Sequence, residues 1–228
     1  MIVYHGGTEE IIKIDLSKAK SNKDFGKGFY VTNIKEQADK WAEVMADRRK
    51  SSGVVTCFKF DESVLDSDEY KVKVFDSNGE EWARFVATNR RNDTNTPIHD
   101  YDIVIGPVAD DFRYRDFSKY LKNEMPEEEF FEGLKFVDAD DSHQICFCTE
   151  KSLDTITRIN LKAFHKIESI GVVITDSLVK NHGFSEAEAQ DFYYNSEICE
   201  KVSDETTELY NKPWQEIYDM LKKEIETK

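Results

Sequence analysis

The feature that most constrains this chain is how soon each β-forming run is cut off. Ile2-Val3-Tyr4-His5 stops at the pair Gly6-Gly7, and Tyr30-Val31-Thr32 emerges directly from "DFGKGF", residues 24–29. "GVVTCFKF", "YKVKVF", "YDIVIGPVAD" and "HQICFCTE" are equally short strand candidates. In "YKVKVF", Tyr70, Val72 and Val74 alternate with lysines, the pattern of a half-buried strand. Between these runs lie segments of helical periodicity. "NIKEQADKWAEVMADRRK" places Ala38, Trp41, Ala42 and Met45 at helical spacing with Asn33 as N-cap, and "EEWARFVATNRR" forms a second helix. Short helices are expected over 117–123 and 126–136, the latter with Pro126 at its first position and its acidic "PEEE" run at the N-terminus. "KSLDTITRI" reads as a further helix. Strands and helices mix without a regular strand–helix–strand rhythm, which predicts an α+β fold rather than a parallel doubly wound sheet.

After residue 160 helix patterns dominate. Gly183 reads as a helix stop and Ser185 as an N-cap, with Glu188 completing a capping box. Two domains are therefore expected, residues 1–160 and a small helical accessory module, residues 161–228. Roughly 65 residues of helix form a marginal core alone, so the module is expected to dock on the first domain or on a partner.

Charge narrows the possible partners. The chain of 228 residues carries 31 Lys+Arg against 46 Asp+Glu, a net charge of −15. Residues 1–160 hold 23 against 32, a balance of −9, and residues 161–228 hold 8 against 14, a balance of −6. Neither half offers the excess of cations that a nucleic-acid backbone demands. Cys57, Cys146, Cys148 and Cys199 form no CxxC pair, and His143 is too isolated to complete a zinc set. They are expected to be buried free thiols in a reducing cytoplasm, with no metal. No charged leader precedes "MIVYHGG" and no run approaches a membrane span, so a soluble, cytoplasmic protein is expected. No GxGxxG or P-loop pattern is present.

Chemistry concentrates in "YHGG" and "DFGKGFYVTN". A strand-end His followed by two glycines sets an imidazole beside bare backbone, where a flat ligand can approach the main chain. A primary carboxamide such as nicotinamide needs one donor and one acceptor there, and Tyr30 and Trp41 can supply faces for its ring. On these residues, "YHGG…FGKGFYVTNIKEQADKWA" resembles the ADP-ribosyltransferases of the histidine–tyrosine–glutamate class, which include diphtheria-toxin-like enzymes and poly(ADP-ribose) polymerases. Trp41 stands eleven residues after Tyr30, the spacing of the second stacking aromatic in that class. "EEWARFVATNRR", "YDIVIGPVADD" and "HQICFCTEKSL" look like a bacterial branch of the same superfamily, over roughly residues 1–160.

The resemblance implies a split β-sandwich of mostly antiparallel strands with flanking helices, plus the C-terminal helical module. It implies that His5 bonds an adenosine-ribose hydroxyl of NAD, that the Gly6 backbone clamps the carboxamide, and that Tyr30 and Trp41 stack on nicotinamide. Gly7 stands where relatives carry Ser or Thr, and Ala38 where many carry a serine that also touches the carboxamide. Gln144 occupies the place of the catalytic Glu, which bonds the nicotinamide-ribose 2′-hydroxyl and steadies the developing oxocarbenium. Losing such a charge costs around 3 kcal/mol, or about two powers of ten in rate. Glu150 lies on the same side by parity but about 20 Å along the strand, while Glu80 and Glu81 are carboxylates that could reach in from elsewhere.

Three functions follow as expectations. The first is a mono-ADP-ribosyltransferase that uses NAD as substrate and modifies a protein or small molecule, without poly-chain extension. The second is a catalytically inactive NAD or ADP-ribose binding module, in which Gln144→Glu would switch on NAD hydrolysis. The third is an interaction protein whose helical tail holds a neighbour-encoded partner. Asp110-Asp111 reads as a loop rather than an acceptor-orienting pair. Arg90, beside Asn89, reads as a helix-end charge, with a pyrophosphate contact as the alternative. His99 and His143 read as exposed loop residues, and His165 and His182 as residues at helix ends.

Overall fold

The computed structural model describes residues 1–109, 116–134 and 143–227; Asp110-Asp111 and the end of the helix expected over 126–136 lie outside them. The chain divides into two compact units, residues 1–158 and 159–228. In the first, β1 (Ile2–Gly7), β3 (Val54–Phe60) and β7 (Ile156–Ile159) form one sheet in the order β1-β3-β7. The other sheet runs β2-β6-β5-β4, from β2 (Phe29–Val31), β4 (Val72–Val74), β5 (Ile103–Pro107) and β6 (His143–Phe147). β1/β3, β2/β6 and β5/β6 pair antiparallel, and β4/β5 parallel. Helices α1 (Lys35–Arg49), α2 (Glu80–Arg90), α3 (Phe117–Leu121) and α4 (Glu127–Leu134) complete the unit. The fold is a mixed α+β arrangement of two mostly antiparallel sheets without a closed barrel.

Burial on both faces explains the strand sequences. Val3, Phe29, Phe58, Phe60, Ile103, Ile145 and Phe147 come from both sheets and form one buried cluster between them. The alternate residues Val104 and Cys146 join a second cluster with Phe25, Trp82, Val86, Phe117 and Phe130. A strand covered on both sides reads as continuously apolar, as "IVIGPV" and "ICF" do.

Several local expectations need correction. β1 runs through both glycines, which pair with Val55 and Val54. Asn33 is not the cap of α1: Ile34 holds that place without a side-chain bond, and Thr32 Oγ1 accepts the Ile34 N–H at 3.1 Å. "KSLDTITRI" is a single 3₁₀ turn, Lys151–Thr155, followed by β7, whose Ile156, Thr157 and Ile159 favour extended backbone. Val74 is 48% exposed, while Lys73 lays its ammonium over the buried Phe75 ring and pairs with Glu81.

In the second unit, α5 (Leu161–His182) ends at Gly183, whose φ of +73° is the left-handed cap that glycine adopts freely. The Ser185–Glu188 capping box opens α6 (Glu186–Tyr194) with both reciprocal bonds present. Ser196 caps α7 (Glu197–Ser203) by accepting from Cys199 N–H. With α8 (Trp214–Thr227), these helices bury Ile170, Ile174, Leu178, Tyr193, Val202, Ile217 and Leu221 among themselves. Among the described residues, no helix is long and apolar enough to cross a membrane.

Candidate functional site

The site is a seam between β1 and β2. Tyr4 and Thr32 exchange both main-chain bonds, at 2.7 and 2.9 Å, and among the described residues that bridge is the whole pairing of the two strands. Main-chain groups alternate in direction along a strand, so Gly6, two residues on from Tyr4, aims its N–H and C=O toward the same side, that of β2. Continued register would set Tyr30 opposite Gly6. Instead, the Tyr30 carbonyl is bonded to His5 Nδ1 at 2.7 Å, so the imidazole takes the place of the next ladder bond.

That bond fixes the tautomer. A carbonyl only accepts, so the hydrogen sits on Nδ1 and a neutral ring leaves Nε2 as an acceptor. Burial holds the His5 pKa below its ordinary value, with the bond to Tyr30 only partly offsetting it. The ring stacks on Phe29 with centroids 4.7 Å apart. Successive strand residues face opposite ways, so the Tyr30 ring lies on the other face of β2 from the imidazole.

Tyr30 is tightly held. Its hydroxyl donates to Gly26 O at 2.7 Å and accepts from Phe25 N–H at 3.0 Å. Burial, then the Cys146 thiol and Asp24, push the phenol well above its usual pKa. Both glycines of "FGKG" have packing duties: Gly26 turns at φ +79° against Asn89 Oδ1, and a Cβ on Gly28 would overlap Cys146 Sγ. Ala38 is buried with its carbonyl against Gly6, where a Cβ would overlap it. A Cβ on Gly7 would find His5 Nε2 at 3.5 Å. Trp41 is 45% exposed on the flank of α1, with the Arg48 guanidinium 5.6 Å from its ring centroid. No ring contact joins Trp41 to Tyr30. The structure therefore brings His5, Gly6, Ala38 and the Tyr30 backbone together, and gives the Trp41 side chain no hydrogen bond or ring contact with them among the described residues.

Gln144, the second residue of β6, lies on the face that also carries Cys146, and Cys146 pairs with Tyr30. Gln144 is 9% exposed and donates Nε2–H to Asp24 Oδ2 at 2.8 Å and to Pro107 O at 3.3 Å. Asp24, 8% exposed, also accepts from Arg90 Nε at 2.7 Å and Ala109 N–H at 3.0 Å. Arg90 reaches on to Ala109 O at 2.5 Å. One carboxylate thus ties the turn before β2 to the end of α2, the exit of β5 and the start of β6. Asp24 escapes notice in the sequence, where its only signal is an acid directly before the glycine turn. Gln37 likewise carries no signal in the sequence: its Nε2 lies 3.4 Å from His143 O, and its buried Oε1 has no hydrogen-bond partner among the described residues.

The other carboxylates lie elsewhere. Glu80 pairs with Arg84 and Glu81 with Lys73, while Glu150 is an exposed residue in the turn after β6. His99 is half-buried rather than exposed, bonded to Phe25 O at 2.9 Å and packed on Phe85 and Tyr101. His143 is likewise half-buried. His165 lines an open groove of about 560 Å³ in the second unit. Cys146 and Cys148 share a face with their sulfurs 3.4 Å apart, and both remain free thiols.

A family model described as "Protein of unknown function (DUF3990)" matches residues 1–157. The chain belongs to this family. No curated protein and no solved structure matches the chain. The DUF3990 match ends one residue short of the boundary between the units. The DUF3990 region therefore contains the whole seam and the Asp24–Arg90–Gln144 network, and α5–α8 lie beyond it.

Proposed function

We propose that the DUF3990 unit is an NAD-dependent mono-ADP-ribosyltransferase, with the split β-sandwich of that superfamily. One observation carries the reading: the β1/β2 ladder stops at the Tyr4–Thr32 bridge, with His5 in the gap and the Gly6 main chain turned toward it. The Gly6 C=O accepts from the nicotinamide carboxamide and its N–H donates back. His5 Nε2 accepts an adenosine-ribose hydroxyl, and Tyr30 and Trp41 flank the pyridine ring. Gln144 Oε1 accepts the nicotinamide-ribose 2′-hydroxyl. Cleavage breaks the bond between C1′ and the pyridine nitrogen, and nicotinamide leaves with the electron pair. The acceptor nucleophile, on a protein or small molecule, then bonds C1′ and sheds its proton. The chemistry uses NAD as substrate and asks for no metal.

The test is nicotinamide release and acceptor labelling by the purified full chain given NAD and a cell lysate. Activity that falls in Tyr30→Ala and His5→Ala is expected. Absence of release and labelling in the wild type, with Tyr30→Ala indistinguishable from it, overturns the reading. A second reading, an NAD or ADP-ribose binding module without turnover, is favoured by the amide at Gln144 where a full charge serves catalysis. Calorimetric titration separates the two, because the module binds NAD tightly and releases no nicotinamide.

A further inference from the structure

We propose that Asp24 is a positioning residue that fixes which end of the Gln144 amide meets substrate, making this place in the site one built for an amide and closed to a lone glutamate. Its catalytic consequence rests on the ADP-ribosyl transfer reading above; its structural consequence stands apart from it.

A glutamine side chain offers two donor hydrogens at one end and an acceptor at the other. Here both hydrogens of Nε2 face acceptors, Asp24 Oδ2 at 2.8 Å and Pro107 O at 3.3 Å. Among the described residues no donor reaches Oε1, and that oxygen is absent from the sealed, unpartnered atoms of the core. Turning the amide over would set Oε1 against a carboxylate oxygen and a carbonyl oxygen, acceptor on acceptor. The orientation is therefore dictated by the neighbours. Asp24 is itself immobilised by Arg90 and the Ala109 N–H, so the amide is held from behind by a fixed group.

Two consequences follow. A carboxylate bonded to the N–H end polarises the amide and leaves more negative charge on Oε1. This replaces part of what a direct carboxylate would offer the developing cation, although Arg90 cancels the net charge of Asp24. The second consequence concerns Gln144→Glu. A carboxylate there would stand about 2.8 Å from Asp24, and two carboxylates so close resist joint ionisation. The exchange that analogy suggests for switching on NAD hydrolysis therefore disrupts the site when made alone. Asp24→Asn together with Gln144→Glu conserves total charge and restores one N–H···O pair between the two side chains, while the Ala109 N–H, which shares Asp24 Oδ2 with Gln144, and Pro107 O each lose a complementary partner.

The experiment is a double-mutant cycle on the full chain, with Asp24→Asn, Gln144→Glu and both together. It reads melting temperature, the NMR signal of the Gln144 side-chain amide, and kcat and KM for nicotinamide release. Each single variant is expected to melt lower than wild type, and the double variant to lose less than the sum of the two. Asp24→Asn is expected to shift the Gln144 amide signal and lower kcat roughly a hundredfold, the scale of a misplaced reacting group, with KM nearly unchanged. Gln144→Glu as stable as wild type, or an unmoved amide signal with unchanged kcat in Asp24→Asn, overturns the proposal. If wild type releases no nicotinamide, the transferase reading falls by itself. The stability cycle then still decides: coupling between positions 24 and 144 supports the inference and additivity overturns it.

Discussion

His5 opens the seam by donating from Nδ1, which either protonation state can do, and presents Nε2 as an acceptor, which requires the neutral ring. Burial lowers its pKa from the ordinary 6.5, so the native chain binds this proton less readily than the unfolded one. Where the unfolded state holds more protons, stability rises with pH. The contribution is thus fully present above 6.5 and is lost as pH falls through that value toward the folded pKa. Wild type is expected to lose melting temperature as pH falls below about 6.5, before most carboxylates protonate. His5→Gln, which keeps a donor for the Tyr30 carbonyl but does not titrate, should show a shallower slope. Coincident slopes would mean that the imidazole is not held neutral. The presence of a histidine at a glycine-closed strand end is plain in the sequence. Its hydrogen-bond partner is not, because the Tyr30 carbonyl reaches it only once β2 has docked. Asp24 was hidden for the same reason, since Arg90 and Gln144 lie 66 and 120 residues away.

At the scale of elements, legibility follows how local the cause is. The Ser185–Glu188 box and the Gly183 stop depend on neighbours within one helical turn, and both stand where the sequence sets them. β7 depends on pairing with β3, a strand about a hundred residues earlier, so its four residues carry too little pattern to declare themselves. The Gly6-Gly7 pair shows the same limit within two positions. Both look like turn residues, yet Gly6 lets β1 press against α1, while a Cβ on Gly7 would reach only ordinary contact distance from His5. A Cβ on Gly6 would meet helix backbone, which has no rotamer to yield. Gly6→Ala is therefore expected to cost about 1–3 kcal/mol, the range of overpacked cores, and Gly7→Ala less than about 0.5 kcal/mol. Urea unfolding of the two variants checks the contrast; equal midpoints would show that α1 does not lean on β1 at Gly6.

For the whole molecule, the decisive fact is that each unit has buried clusters of its own among the described residues. Those of residues 1–158 draw on the two sheets and α2–α4, while that of residues 159–228 comes from α5–α8 alone. A segment with its own core can unfold as its own cooperative step. At about 0.7 kcal/mol per residue near 60 °C, the larger unit should absorb about 110 kcal/mol and the smaller about 50 kcal/mol. Scanning calorimetry of the full chain is expected to show two transitions in roughly that ratio. A ligand that binds only the native form raises the melting temperature of the unit that holds it. Under the transferase reading, NAD should therefore lift the larger transition and leave the smaller in place. A single transition carrying the summed enthalpy, with calorimetric and van't Hoff values equal, would show that the two cores melt as one. NAD lifting the smaller transition instead would move the nucleotide site out of the DUF3990 seam and into the helices.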